Sequence, residues 1–215
     1  MRLFLLAFLV GAGARAAVPA NGVDETPHRG NFIETSLGVF TAMGGSVALS
    51  NGQPYISMTF GRELGTAATV FASLAIGAAS ASCYDVLKNP KGDTCLAADS
   101  FGATFVEVGA SYGFPVALRA LLSLKMVGGF TDLSPGPKQD SGTVPNHVPG
   151  FHMGAGIAFD YDTHLDHFAV GLDLLVRYSL ARYSPTLTTN PPTFGPPQWF
   201  GLPSLAVMPR IRYIF

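Results

Sequence analysis

Charged residues are scarce in this chain of 215. Asp, Glu, Lys and Arg together make up 13% of it, against roughly 25% in an average soluble domain. The 13 Lys and Arg nearly cancel the 14 Asp and Glu, for a formal net charge of −1. There is accordingly no basic excess to bind nucleic acid. Cysteine is almost absent, with two residues and no C-x-x-C spacing, which excludes a disulfide framework or a thiolate metal cage. Long apolar runs are missing as well. The best candidate for a membrane helix, "TAATVFASLAIGAASAS" (66–82), is rich in Ala, Ser and Thr and alternates, so it reads as a strand.

What is present is apolar and regularly patterned: 48% hydrophobic residues, 25 glycines and 16 phenylalanines. The pattern has period two. Ile33, Leu37 and Val39 oppose Glu34, Ser36 and Gly38, and Ile56, Met58 and Phe60 oppose Tyr55, Ser57 and Thr59. Val70, Leu74 and Ile76 oppose Phe71, Ser73 and Ala75, and Val106, Val108 and Tyr112 oppose Phe105, Glu107 and Ser111. Leu122, Leu124 and Met126 oppose Arg119, Ser123 and Lys125, and Phe151, Met153 and Phe159 oppose His152, Gly154 and Asp160. Val170, Leu172 and Leu174 oppose Gly171, Asp173 and Arg177. Last, Val207, Pro209, Ile211, Tyr213 and Phe215 oppose Ala206, Met208, Arg210, Arg212 and Ile214. These are eight strands of about 9–14 residues, long enough to cross a bilayer at a tilt.

Their connections alternate. Short turns ("RELG", "GFPV", "YDTHLDH") follow strands two, four and six, and long Gly/Pro/Asn/Asp-rich loops follow strands one, three, five and seven. That is the layout of a transmembrane barrel with periplasmic turns and four outer loops. One face of each strand is nearly free of charge. Because a charge on a lipid-facing wall costs about 2–4 kcal/mol at the midplane, the uncharged face belongs against lipid. The predicted fold is all-β, an eight-stranded antiparallel up-and-down transmembrane barrel. Tyr112, Tyr178, Tyr213, Phe159 and Phe168 are placed as its aromatic girdle. Pro209 removes a ladder donor from the last strand, and a bulge is expected there. The alternative fold, an exported β-sandwich, would carry charge on its outer faces.

The N-terminal "MRLFLLAFLVGAGARAAVPA" has a positive Arg2, an apolar run from Leu3 to Val10 and the small-x-small site Ala14-Arg15-Ala16. It predicts a signal peptide over 1–16, followed by a periplasmic segment over 17–30 and the barrel over 31–215. In an exported chain, Cys83 and Cys95 flank a turn-rich polar segment and are expected to form a loop-pinning disulfide.

Chemistry is harder to find. An eight-stranded lumen is just wide enough to be filled by side chains. Glu34, Glu107 and Asp173 are therefore expected to offset Arg119, Arg177, Arg210 and Arg212 in an interior charge network; the alternative is an arginine-lined ion pathway. The cluster "DYDTHLDHF" (160–168) reads as a solvated turn, with a divalent-metal site as the other option. His152 is the strand histidine that points clearly inward, and no inward serine is read at a matching height on the last strands, as a lipid hydrolase would require. No catalytic residue, metal ligand or cofactor is predicted. "TLTTNPPTFGPPQWFGLP" carries five prolines and the single tryptophan, so Trp199 and Phe200 are candidates either for a docking surface or for the outer aromatic belt.

The ending, with Val207, Ile211, Tyr213 and a final Phe215 at alternate positions, resembles the C-terminal signal of bacterial outer-membrane barrel proteins. The resemblance implies recognition by the barrel-assembly machinery and a home in outer-membrane lipid. "NFIETSLGVFTAMGG", "NGQPYISMTFGREL" and "SASCYDV" further resemble the barrel subunits of myxobacterial adventurous gliding-motility complexes. That resemblance implies a non-enzymatic subunit of a surface adhesion complex, working with other barrels, a lipoprotein and periplasmic subunits. A small-solute or apolar-molecule channel is the runner-up, and a lipid-modifying enzyme comes third.

Overall fold

A computed structural model describes residues 30–42, 52–65, 67–80, 100–134, 147–165, 167–184, 186–187 and 193–215. The predicted signal peptide and the disulfide pair Cys83 and Cys95 lie outside the described residues. Eight strands form the barrel: β1 (Asn31–Ala42), β2 (Gln53–Leu64), β3 (Ala68–Ser80), β4 (Ser100–Ala117), β5 (Ala120–Ser134), β6 (Val148–Asp162), β7 (Phe168–Tyr183) and β10 (Gln198–Ile214). Between the last two, β8 (Thr186–Leu187) and β9 (Thr193–Phe194) pair with each other as a separate hairpin.

Every barrel strand runs antiparallel to its neighbours, in the order β1-β10-β7-β6-β5-β4-β3-β2, and the ring is closed. β10 seals it against β1, with partners running from Phe32↔Ile214 to Ala42↔Ser204. The backbones of Asn31 and Phe215 add two hydrogen bonds, of 3.1 and 2.8 Å. Closure rules out the sandwich alternative and leaves no free edge among these eight strands.

The strands form where side chains alternate, because successive Cβ atoms point to opposite faces of a sheet. They run past the predicted limits, from 12 residues in β1 to 18 in β4. "GFPV" is consequently strand: β4 continues through Gly113–Ala117 and its turn is Leu118-Arg119. Likewise "REL" closes β2, Tyr161 and Asp162 close β6, and Gln198–Gly201 open β10. The alternation of connections persists. Residues 65–67, 118–119 and 163–167 link strands at one rim, and 43–52, 81–99, 135–147 and 184–197 do so at the other.

No bulge marks Pro209. Partners on β1 and β10 run Ser36↔Arg210 and then Val39↔Val207 in unbroken register, with the pairings between them skipped, while Pro209 stays opposite Leu172 on β7. The missing N–H therefore costs ladder bonds without moving the strand. Gly38 faces this gap, and a Cβ there would collide with the carbonyl oxygen of Val207. Two strands that close this tightly leave room only for glycine. A register shift occurs instead in β4, between Pro115 and Ala117.

Candidate functional site

The lumen is where the charged residues meet. Arg210 and Arg212, two apart on β10, share its inward face and lie at the short-turn end. The Arg210 guanidinium gives Nη2 to both oxygens of Asp160 at 2.6 Å and Nη1 to Glu34 Oε2 at 2.9 Å. Its Nε lies 3.2 Å from Asp173 Oδ1. One side chain thus joins carboxylates from β1, β6 and β7. Arg212 donates to Glu34 from Nε and Nη2, at 3.1 and 3.0 Å, while its guanidinium carbon sits 4.5 Å from the centre of the Phe32 ring. Lys125 Nζ donates to Asp173 and lies 5.0 Å over the Phe71 ring.

A second group sits nearer the long-loop rim. Arg177 forks onto Glu107 with Nε and Nη2, at 3.0 and 2.9 Å. The same carboxylate accepts from Ser73 Oγ at 3.1 Å and stands 3.1 Å from His152 Nε2. Above it the lumen turns apolar. Arg177 lies 4.8 Å from the centre of the Phe105 ring, and Phe105 packs on Phe40, Tyr55 and His152 with centroids 5.9, 6.4 and 5.1 Å apart. Leu133, Val148 and Leu202 are buried with them.

Among the described residues, four lumen cations (Lys125, Arg177, Arg210, Arg212) face four carboxylates (Glu34, Glu107, Asp160, Asp173), all of them buried. Each charge has a partner of opposite sign within hydrogen-bond reach. Such pairing is the condition for taking charges out of water. The arrangement holds strands together and offers no free arginine row along which an ion could pass.

Two expectations are corrected. Arg119 is a turn residue outside the lumen: its Nη1 donates to the Thr163 carbonyl at 3.3 Å and lies 2.9 Å from His164 Nδ1 on the neighbouring turn. Asp160 belongs to the lumen, not to a solvated turn. The rest of that cluster disperses, His164 toward Arg119 and His167 against the Tyr213 ring at 5.9 Å. Sequence reasoning also left Lys125 out of the network, although its place two residues from Ser123 already put it on the inner face. For Asp160 the signal was equally available, because it follows His152, Gly154, Gly156 and Ala158 on one face of β6.

The outer wall is the reverse of the lumen. Ile56, Met58, Leu74, Ile76, Val108, Met126 and Met153 are half exposed or more, with Met153 at 72%, a surface that would be an aggregation hazard in water. The outward-facing charges of the described strands, Arg62, Asp132 and Arg182, stand near strand ends. Aromatic side chains gather near both rims. Phe60, Tyr112, Phe114, Phe168, Tyr213 and Phe215 pack in pairs near the short turns, with centroids 5.1–6.3 Å apart. Phe130 and Phe151 lie 4.9 Å apart toward the other rim.

Trp199 and Phe200 are in β10, opposite Arg182 and Ala181, not in a loop. Trp199 is exposed, with the Arg182 guanidinium 5.6 Å from its ring centre. Val207, Ile211 and Tyr213 face outward on the same strand, and Phe215 just past its end is exposed as well.

No family model matches the chain, and no curated protein matches it in sequence. Solved structures do. Neisserial surface protein A superposes with a TM-score of 0.51 at 12% identity, over 86% of this chain and 97% of that one. This chain has the fold of an eight-stranded outer-membrane β-barrel. Ail, the attachment invasion locus protein of Yersinia pestis, matches at a TM-score of 0.45 and 12% identity, over 87% of this chain and 99% of its own. A major outer membrane protein from Thermus thermophilus gives 0.45 and 10%, over 85% and 99%. At 12% identity the likeness to Neisserial surface protein A is one of fold. The paired lumen charges of this barrel are read from its own residues.

Proposed function

We propose that this protein is an integral outer-membrane barrel that catalyses no reaction and serves as a structural and docking subunit of the cell envelope. The observation that carries the reading is the filled lumen: balanced ion pairs below, packed rings above. A barrel closed in this way has its outer wall and two rims left to work with. The uncharged wall suits lipid, and the longer connections at one rim offer the contact surface. The export signal and the outward Val207, Ile211, Tyr213 and Phe215 support delivery through the barrel-assembly machinery. A place in a gliding-motility or adhesion complex, beside other barrels, a lipoprotein and periplasmic subunits, is supported by the resemblance of the first hundred residues alone.

The test has two parts. Reconstituted in a planar bilayer, the protein should give no stepwise conductance. Photo-crosslinkers placed in residues 184–197 should capture envelope proteins in the living cell. Regular conductance steps that are lost on blocking the lumen would overturn the reading in favour of a channel.

A further inference from the structure

The outer wall is not uniform. At one height β2, β3 and β4 present the row Phe60–Ala72–Val108, since Ala72 pairs with Phe60 on one side and Val108 on the other. Alanine between two larger residues makes the floor of a slot, and the depression is lined further by Val70 and Arg62. One row toward the midplane, Leu74 between Met58 and Val106 closes it. One row toward the short turns stand Arg62, Val70 and Ala110.

Arg62 is the outward-facing cation of the described strands near that rim. It is exposed, three residues before the turn at Gly65, and its guanidinium has no hydrogen-bond or ion-pair partner among the described residues. Phe60 and Tyr112 set its height at the aromatic girdle, where lipid headgroups lie.

We propose that the β2–β4 wall seats one glycerophospholipid, with an acyl chain over Ala72 between Phe60 and Val108 and the phosphate diester on Arg62. This rests on the membrane-embedded reading. Charge complementarity selects the headgroup, because a planar guanidinium pairs two of its N–H groups with phosphate oxygens. The slot selects the chain. Adjacent rows on a strand are about 6.6–6.8 Å apart, so a chain entering beside Arg62 crosses the Ala72 row before it meets Leu74. The rim of short turns places the seat in the leaflet that faces them.

The protein, folded into detergent micelles, would be given equal amounts of phosphatidylglycerol and a diacylglycerol with the same chains, then read by native mass spectrometry. One phosphatidylglycerol should survive activation that strips the diacylglycerol. Arg62→Gln removes a charge-assisted contact and should lower the retained fraction about tenfold. Ala72→Phe fills the slot and should lower it for both lipids, while Arg182→Gln at the far rim should change nothing. Equal retention by wild type, Arg62→Gln and Ala72→Phe would sink the proposal. Insertion into lipid vesicles, monitored by the heat-dependent gel shift, keeps the two readings apart. A barrel that inserts yet retains no lipid selectively defeats only this seat, whereas a chain that stays soluble defeats the embedding and the seat together.

Discussion

The two halves of the lumen solve the same filling problem with opposite chemistry. Near the short turns, Arg210, Arg212 and Lys125 are locked among Glu34, Asp160 and Asp173. Under the long-loop rim, Phe40, Tyr55, Phe105, Leu133 and Val148 pack against one another. Ring packing is tolerant, because dispersion depends on volume more than on direction. Ion pairs are not, because a buried charge that loses its partner keeps the full desolvation cost. The ionic half therefore specifies which strands sit together, and the aromatic half seals the bore. Arg177 with Glu107 marks the border, its guanidinium serving the carboxylate on one side and the Phe105 ring on the other.

Substitutions should separate the halves most sharply at Arg210. Arg210→Ala leaves three carboxylates short of their shared cation, and removing one partner of a buried pair costs about 3–5 kcal/mol. Urea unfolding from vesicles, followed through the fluorescence of the single tryptophan, should show that loss or a failure to fold. Arg210→Lys keeps the charge but replaces a planar fork with one ammonium. Losing charge-assisted bonds of this kind should cost about 1.5–3 kcal/mol in the same assay. In the aromatic half, Phe105→Leu keeps an apolar filler of similar bulk, and its cost should stay below about 1.5 kcal/mol. If Phe105→Leu proved as damaging as Arg210→Lys, the tolerance assigned to the upper half would be wrong.

That contrast also explains what could be read before the fold was known. Wall and lumen were legible because period two is local: Leu37 or Val108 is placed outward by its immediate neighbours alone. So was closure, since eight strands with alternating connections leave little choice. What escaped was the end of each strand. The exposed segment Phe114–Val116 resembles a turn because it holds Pro115, yet its neighbours in β5 hold it in the sheet through Leu121 and Leu122. Misplacing that turn put Arg119 in the lumen. Asp160 was lost the same way, absorbed into a polar cluster of which Thr163, His164 and His167 do lie in the turn. At Pro209 the proline was visible but its consequence was not, because the register on either side of it holds and the lost pairing opens opposite Gly38, far away in sequence, where the strands close too tightly for a Cβ.

The smallest expected effect is also the one that tests burial most directly. Exposed charges interact through water and are screened over about 8–10 Å at ordinary ionic strength. The lumen pairs lie within 2.6–3.2 Å of one another at the contacts that matter and are walled off by the barrel. Raising salt from about 0.05 M to about 1 M, which shortens the Debye length to about 3 Å, should leave the unfolding midpoint of the wild type nearly unchanged. A variant that opens the upper seal, Phe40→Ala with Phe105→Ala, lets water and ions reach Arg177 and Glu107, and its midpoint should then fall as salt rises. Salt sensitivity confined to the opened variant would show that the rings protect the ion pairs. A midpoint that drops with salt in the wild type would mean that the floor is already wet and that the two halves are less different than their chemistry implies.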